Sequence, residues 1–250
     1  MFYINKNRTM CVNSSIVEWD IHSGNTSMMY HYNLAPKPVI DKLAAMNKQD
    51  RVVAIGKLMK KDKEFSKKLE ASFNSIAQDF VEINEIPREN IISIKRDAVY
   101  VLNRDIKFST FGQYVEFVPK NQYTGWLYIK PYEFYFKDDS TIDVKGLSDN
   151  LIPKHEHGML AFLSDLFDTC RASNMGKGDI NQFMAEFSEN YKFRRLKDDF
   201  YREFNQKSLY RLVYPDIGEM LTESFPERDL EYVDISYNYL NIIIKAIKIC

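Results

Sequence analysis

The chain predicts an α+β fold, with strand-favouring runs around a block of helices and then a helical remainder. Three observations carry this. Phe65, Leu69, Phe73, Ile76 and Phe80 step by four, four, three and four, which puts them on one helical face. Ile91-Ile92-Ser93-Ile94 and Ala98-Val99-Tyr100-Val101-Leu102 are β-favouring runs meeting at Lys95-Arg96-Asp97, a strand–turn–strand with an acid at the bend. After Pro153 the pattern turns helical again, with Met159, Phe162, Leu163, Leu166 and Phe167 on one face. The expected division is therefore an α+β part over 1–152 and a helical part over 153–250.

The remaining elements follow in order. Residues 1–21 predict two strands separated by the turn-prone Asn13-Ser14-Ser15, and 23–34 a short helix. Pro36 and Pro38 open a helix running to about Met46, because proline is tolerated in a first helical turn. Val52, Val53, Ile55, Leu58 and Met59 fit a further helix over 51–60. Residues 108–147 continue in β style, with Lys137-Asp138-Asp139-Ser140 as a hairpin turn between Phe134–Phe136 and Ile142–Val144. Gly176-Lys177-Gly178 reads as a loop, further helices are expected from about Asp179, and Leu240–Cys250 reads as a C-terminal core helix.

Composition narrows the class. With 250 residues and 45% hydrophobic content the chain can bury a sizeable core, and disorder is not expected. The net charge of −1 hides an asymmetry: nine Lys/Arg against four Asp/Glu from Lys42 to Ala71, and seven acids against Arg228 alone from Asp216 to Asp234. The first cluster could face phosphates, the second could not. Three widely spaced cysteines, Cys11, Cys170 and Cys250, argue against a disulfide framework or zinc cluster and fit a reducing cytosol. The N-terminus lacks the features of a signal peptide, and no apolar run is long enough to span a bilayer, so a cytoplasmic protein with no membrane partner is expected.

Two carboxylates stand out, Asp20 in Ile16-Val17-Glu18-Trp19-Asp20-Ile21-His22-Ser23 and Asp97 in its turn, with the lysine-rich helical block between them. Acids converging from neighbouring strands can hold divalent cations and serve phosphoryl transfer. Their order resembles the palm of a family B DNA polymerase with a minimal fingers element and a small thumb. The first palm motif of that family, Asp-x-x-Ser-x-Tyr-Pro-Ser, would be Asp20-Ile21-His22-Ser23-Gly24-Asn25-Thr26-Ser27. The third, Asp-Thr-Asp-Ser, would be Lys95-Arg96-Asp97-Ala98, keeping the second aspartate. Lys120-Asn121-Gln122-Tyr123 and Asp143-Val144-Lys145-Gly146 fall where the family has primer- and template-contacting elements. The resemblance covers about 16–150.

The resemblance implies a palm-like antiparallel sheet with packed helices, a basic fingers region at about 36–84 and a helical thumb-like part. It implies a nucleotidyltransferase that extends a nucleic-acid 3′ end with nucleoside triphosphates, using Mg²⁺ or Mn²⁺. Asp20 and Asp97 would be the catalytic and metal-binding acids, with the carbonyl of Ile21 as a third ligand. Ser23, Gly24 and Asn25, with Arg51 and Lys57, would seat the triphosphate, and Lys120, Tyr123, Lys145 and Gly146 would touch primer–template or single strand. A small replication enzyme of a phage or other mobile element, acting in the host cytoplasm, would suit the lack of room for an exonuclease domain before residue 16. The sequence departs from the family at Lys95, which replaces the first aspartate of the third motif. It departs again at Asn25, in place of the tyrosine that excludes ribose, and the Asn-Ser-x-Tyr-Gly fingers segment has no match.

Other readings of the same residues stand beside this one. Asp20 also suits a helix N-cap or turn, and Asp97 a hairpin turn. The lysines at 57, 60, 61, 63, 67 and 68 also suit a solvated helix face. Tyr123, Trp126, Tyr128, Tyr132, Phe134 and Tyr135 suit strand packing as well as base stacking. His155-Glu156-His157 lacks a third ligand by spacing, and Arg194-Arg195-Leu196-Lys197 suits a solvated face or a nucleic-acid backbone contact. Two non-enzymatic alternatives follow: a palm-derived protein that binds nucleic acid or a partner without turnover, and a subunit of a larger phage assembly that docks through its C-terminal helices.

Overall fold

A computed structural model describes residues 3–8, 10–130, 132–139, 141–146 and 156–172, with isolated positions between 182 and 195. The elements are β1 (Tyr3–Ile4), β2 (Met10–Cys11), β3 (Ile16–Ile21), α1 (Gly24–His31), α2 (Lys37–Ala44), α3 (Lys48–Lys61) and α4 (Lys63–Ile83). There follow β4 (Ile91–Ile94), β5 (Ala98–Leu102), β6 (Thr110–Phe111), β7 (Val115–Tyr123), β8 (Gly125–Ile129), β9 (Tyr132–Phe136), β10 (Ile142–Lys145) and α5 (Glu156–Ala172). The fold class is α+β with antiparallel sheets, as the sequence predicts. Of the helices expected from about 179, the described positions 182, 185, 186, 189 and 190 are helical; Leu240–Cys250 and the Gly176–Gly178 loop lie outside the described residues.

The chain divides into two compact units, Met1–Arg8 with Ser14–Tyr123, and Thr9–Asn13 with Thr124–Cys250. The division thus falls after Tyr123, and the boundary expected at 152 lies inside the second unit. The N-terminal stretch differs from expectation too. It forms three short strands, of which β1 and β3 join the first unit's sheet and β2 the second's.

The first unit is a sheet of order β1-β4-β5-β3-β7-β6 with four helices on one face. Hydrophobic alternation decides which face. Trp19 and Ile21 of β3, Val99 and Val101 of β5 and Phe117 of β7 share a cluster with Leu69, Phe73, Ile76, Ala77 and Phe80 of α4. Phe80 is the centre of this contact, its ring 4.2 Å from Phe117 and 6.0 Å from Trp19. Burial of one such phenylalanine stabilises by about 1.5–3 kcal/mol.

The helices start where capping residues let them. Asn47 accepts from Asp50 N–H at 3.0 Å and opens α3, earlier than the apolar pattern suggests. Asp62 accepts from Glu64 and Phe65 N–H at 3.0 and 2.9 Å and separates α4 from α3. At the other end of α4, the Asn84 amide donates to the carbonyls of Phe80 (2.9 Å) and Phe108 (2.7 Å). Its carbonyl accepts from Lys107 and Phe108 N–H at 2.9 and 2.8 Å, tying the helix end to the loop before β6.

The second unit is a sheet of order β10-β9-β8-β2. Trp126, Leu127, Phe134, Tyr135 and Phe136 are buried in it, the packing alternative for these aromatics. In α5, Leu163, Leu166 and Phe167 are buried, with Phe167 stacked on Phe136 at 4.0 Å. Gly125 is needed there, since a Cβ on it would lie 2.0 Å from the Phe167 ring. The turn between β9 and β10 closes through Lys137 N–H to Thr141 O at 2.9 Å, and Asp139 accepts from the Thr141 N–H and hydroxyl. Those two hydrogen bonds hold the Asp139 carboxyl below its ordinary value. No helix among the described residues is long and apolar enough to cross a membrane.

Candidate functional site

The backbones of Asp20 and Asp97 lie side by side in the first unit. β3 pairs with β5 so that Asp20 faces Ala98, and Ile21 N–H donates to the Asp97 carbonyl at 2.8 Å. Asp20 is therefore a strand residue rather than a helix cap. Asp97 occupies the two-residue bend of the β4–β5 hairpin, which Lys95 N–H closes onto Ala98 O at 2.8 Å. Asp97 is exposed and Asp20 half-buried.

The start of α1 lies beside them. A Cβ on Gly24 would come within 3.4 Å of Asp97 Cβ and 3.2 Å of the Phe73 ring, so the start of α1 lies close against Asp97. Ser23 before it is left-handed at φ 51, and its carbonyl accepts from the Thr26 N–H and hydroxyl, both at 3.0 Å. The Ser27 hydroxyl donates to His22 O at 2.7 Å and holds the same turn. The first N–H groups of α1 thus open next to Asp97, where the helix dipole favours negative charge.

Two residues that the sequence reading did not single out belong to this site. Glu18 shares the face of Asp20, two positions earlier on β3; strand alternation alone would have found it. It is buried, and its Oε2 accepts from Asn121 Nδ2 at 2.6 Å and the Tyr123 hydroxyl at 2.9 Å. Arg96 precedes Asp97 and crosses to the helices. Its Nη2 donates to Asn25 Oδ1 at 3.0 Å, and its guanidinium lies 4.9 Å from the Phe73 ring centroid. Its buried Nε has no partner among the described residues. No local pattern signals these partners, which come from α1 and α4.

Lys120 is the cation that pairs with Asp20. Its Nζ lies 2.7 Å from Asp20 Oδ2 and 3.9 Å from Glu18 Oε1. The β3–β7 register explains how it gets there. Glu18 pairs with Asn121 and Trp19 with Pro119, so Lys120 is the extra residue of a bulge that turns it to the carboxylate face. Pro119 has no N–H to give the ladder, and a bulge suits it. The hydrogen bond to Asp20 raises the Lys120 pKa most, partial burial opposes, and the charges of Asp20, Glu18 and Asp97 add to the rise. Lys120 therefore stays protonated above its ordinary range.

The remaining predicted residues are placed as follows. Ser23, Gly24 and Asn25 lie at the start of α1 beside Asp97. Tyr123 is fully buried, its hydroxyl on Glu18. Arg51 Nη1 donates to Ala44 O at 3.4 Å, and Lys57 is exposed on the side of α3 away from buried Ile55. Neither makes a hydrogen bond or ion pair with the aspartates among the described residues. In the second unit, Lys145 pairs across β9 with Glu133 and Gly146 is exposed at φ 90. Of the basic run after 193, Arg195 is described and pairs with Glu189 at 3.5 Å. No group of three or more His, Cys, Asp or Glu that could hold a metal ion is found among the described residues.

The fold and site define an α+β protein with an acidic face neutralised by a lysine. The chain belongs to the family described as "Bacteriophage PBS1 gene 130 protein", whose model matches residues 1–250. That description names a phage gene product and no activity. No curated protein matches the chain.

Proposed function

We propose that the protein is a metal-dependent nucleotidyltransferase, resembling a minimal family B DNA polymerase, that adds nucleotides to a nucleic-acid 3′ end. The observation that carries this reading is the side-by-side placement of the backbones of Asp20 on β3 and Asp97 at the β4–β5 bend, joined by the 2.8 Å Ile21–Asp97 backbone bond. The order strand, helices, hairpin, strand supports it, as does the start of α1 beside the acids.

The donor set fits magnesium. Mg²⁺ is bound through one or two carboxylates plus substrate phosphates rather than through a complete protein cage, so a site short of three acidic ligands is compatible. Asp20, Asp97 and the Ile21 carbonyl would hold Mg²⁺ or Mn²⁺, which would supply Lewis-acid stabilisation of phosphate charge and a lowered pKa for an attacking hydroxyl. The chain's own residues then have defined tasks. Asp20 and Asp97 fix negative charge on a rigid sheet. Ser23, Gly24 and Asn25 offer helix N–H groups to phosphate oxygens. Lys120 and Arg96 add cationic charge near Asp97, as point charge and as planar fork.

A labelled primer–template with Mg²⁺ or Mn²⁺, in separate dNTP and NTP pools, tests this. Extension that is lost in Asp97→Ala and Asp20→Asn is expected. Full activity in either variant would contradict the roles given to the acids. One observation favours a second reading, a palm-derived nucleic-acid-binding protein without turnover: the Lys120 ammonium already neutralises Asp20 at 2.7 Å. Nucleic-acid binding by the folded protein with no incorporation in any pool would select it.

A further inference from the structure

We infer that Lys120 is a displaceable internal counter-ion, neutralising Asp20 until a divalent cation takes that carboxylate, and that Glu18 is the station receiving the ammonium when it moves. The inference rests on the metal-dependent reading above and concerns how that site is kept closed to stray cations and opened to the right one.

Three features of the site carry it. The first is mobility. The Lys120 side chain is 53% exposed on a flexible stem, whereas Asp20 is 21% and Glu18 4% exposed, both on the central strand β3. The ammonium is the partner free to move. The second is a destination. Glu18 Oε1 stands 3.9 Å from Nζ, so a shift of about 1 Å brings the two into hydrogen-bonding range. Glu18 is itself immobilised, because Asn121 and Tyr123 donate to its other oxygen at 2.6 and 2.9 Å. The third is the bulge at Lys120, which spends a ladder position to bring this one side chain onto the carboxylate face. In the register that pairs Glu18 with Asn121, an unbulged strand would place Lys120 opposite Trp19, on the other face.

The electrostatics require a cation in either state. Three carboxylates act on the Lys120 ammonium, those of Asp20, Glu18 and Asp97. If a divalent ion binds Asp20 and Asp97 while the ammonium stays beside Asp20, like charges meet at close range. Movement toward Glu18 relieves this and strengthens the contact with its buried carboxylate. Glu18 is thus a positioning residue that acts through Lys120.

Mn²⁺ titration of the full chain, followed by electron paramagnetic resonance, tests the pair without reference to turnover. Lys120→Met should bind Mn²⁺ roughly fivefold more tightly, the scale expected for loss of a half-exposed ion pair. Glu18→Gln should bind more weakly than the wild type, because the ammonium loses its charged station. The double variant should match Lys120→Met, since Glu18 has nothing left to act on. Lys120→Gln and Glu18→Asp, which withdraws the same charge by one methylene, serve where a first variant has a lowered urea midpoint. Unchanged or weaker binding in both Lys120 variants, beside a wild type that binds, overturns this inference alone. So does a Glu18 effect that persists undiminished in the double variant. Failure of both wild type and Lys120→Met to bind Mn²⁺ overturns the metal-dependent reading, and this inference with it.

Discussion

Replacing Tyr123 by phenylalanine removes one hydroxyl from the interior and leaves the ring in place. That hydroxyl donates to Glu18 Oε2 at 2.9 Å, and the Glu18 side chain is only 4% exposed, so water cannot easily substitute for it. Asn121 also donates to that oxygen, at 2.6 Å. A hydrogen bond to a charged group contributes about 1.5–3 kcal/mol, and its loss at a buried carboxylate falls in the same range. For a protein of this size that corresponds to a Tm lowered by about 3–12 °C. Because the chain forms two units, one transition cannot be assumed, and the probe must report on the first unit. Trp19 lies in that unit and Trp126 in the other, so urea titration of Trp19 fluorescence in a Trp126→Phe background isolates the effect. Substitution of exposed Gln122 by alanine should stay within about 0.5 kcal/mol and serves as the control. A Tyr123→Phe cost no larger than the control's would mean that Glu18 is not held as a buried, hydrogen-bonded carboxylate, and the fixed station for Lys120 would be lost with it.

Other outcomes follow from the same geometry. Asn84→Ala removes four hydrogen bonds and leaves the Lys107 and Phe108 N–H groups without their acceptor. A loss of about 2–4 kcal/mol in the same urea assay is expected. Gly125→Ala forces a Cβ against the Phe167 ring and should destabilise the second unit by about 1–3 kcal/mol, read from Trp126 fluorescence. The hydrogen bond to Asp41 pushes the Tyr30 phenol from 10.0 up to about 12. The bond needs the protonated phenol, so its stabilisation is complete below the ordinary tyrosine pKa and fades as pH rises through the folded value. Absorbance titration at alkaline pH should show a late-titrating phenol that Asp41→Asn returns toward 10.0.

What could be read from the sequence was what short range determines. The four-, three- and four-residue steps from Phe65 to Phe80 became the buried face of α4, because one face of one helix is a local property. The hairpin around Asp97 and the turn after Phe136 were visible for the same reason. The split of the N-terminal strands between two sheets was not, since Met10–Cys11 pair with Trp126–Leu127, far along the chain. Asn47 and Asp62 look like ordinary polar residues until the helices they cap are known. At the site, the adjacency of Asp20 and Asp97 could be anticipated from two strand ends carrying acids. The contribution of Lys120 could not, because it depends on a register shift opposite Glu18 and Trp19. Arg96 was hidden similarly, its partners Asn25 and Phe73 lying on separate helices.

Iron-directed cleavage tests most directly whether Asp20 and Asp97 serve one cation. Fe²⁺ placed in the site with ascorbate and peroxide generates hydroxyl radicals that cut the nearest backbone. Fragments ending near residue 20 and near residue 97 together, both suppressed by excess Mg²⁺ and both lost in Asp97→Asn, are the predicted result. Cuts confined to one of the two segments, or unaffected by Mg²⁺, would contradict a shared site.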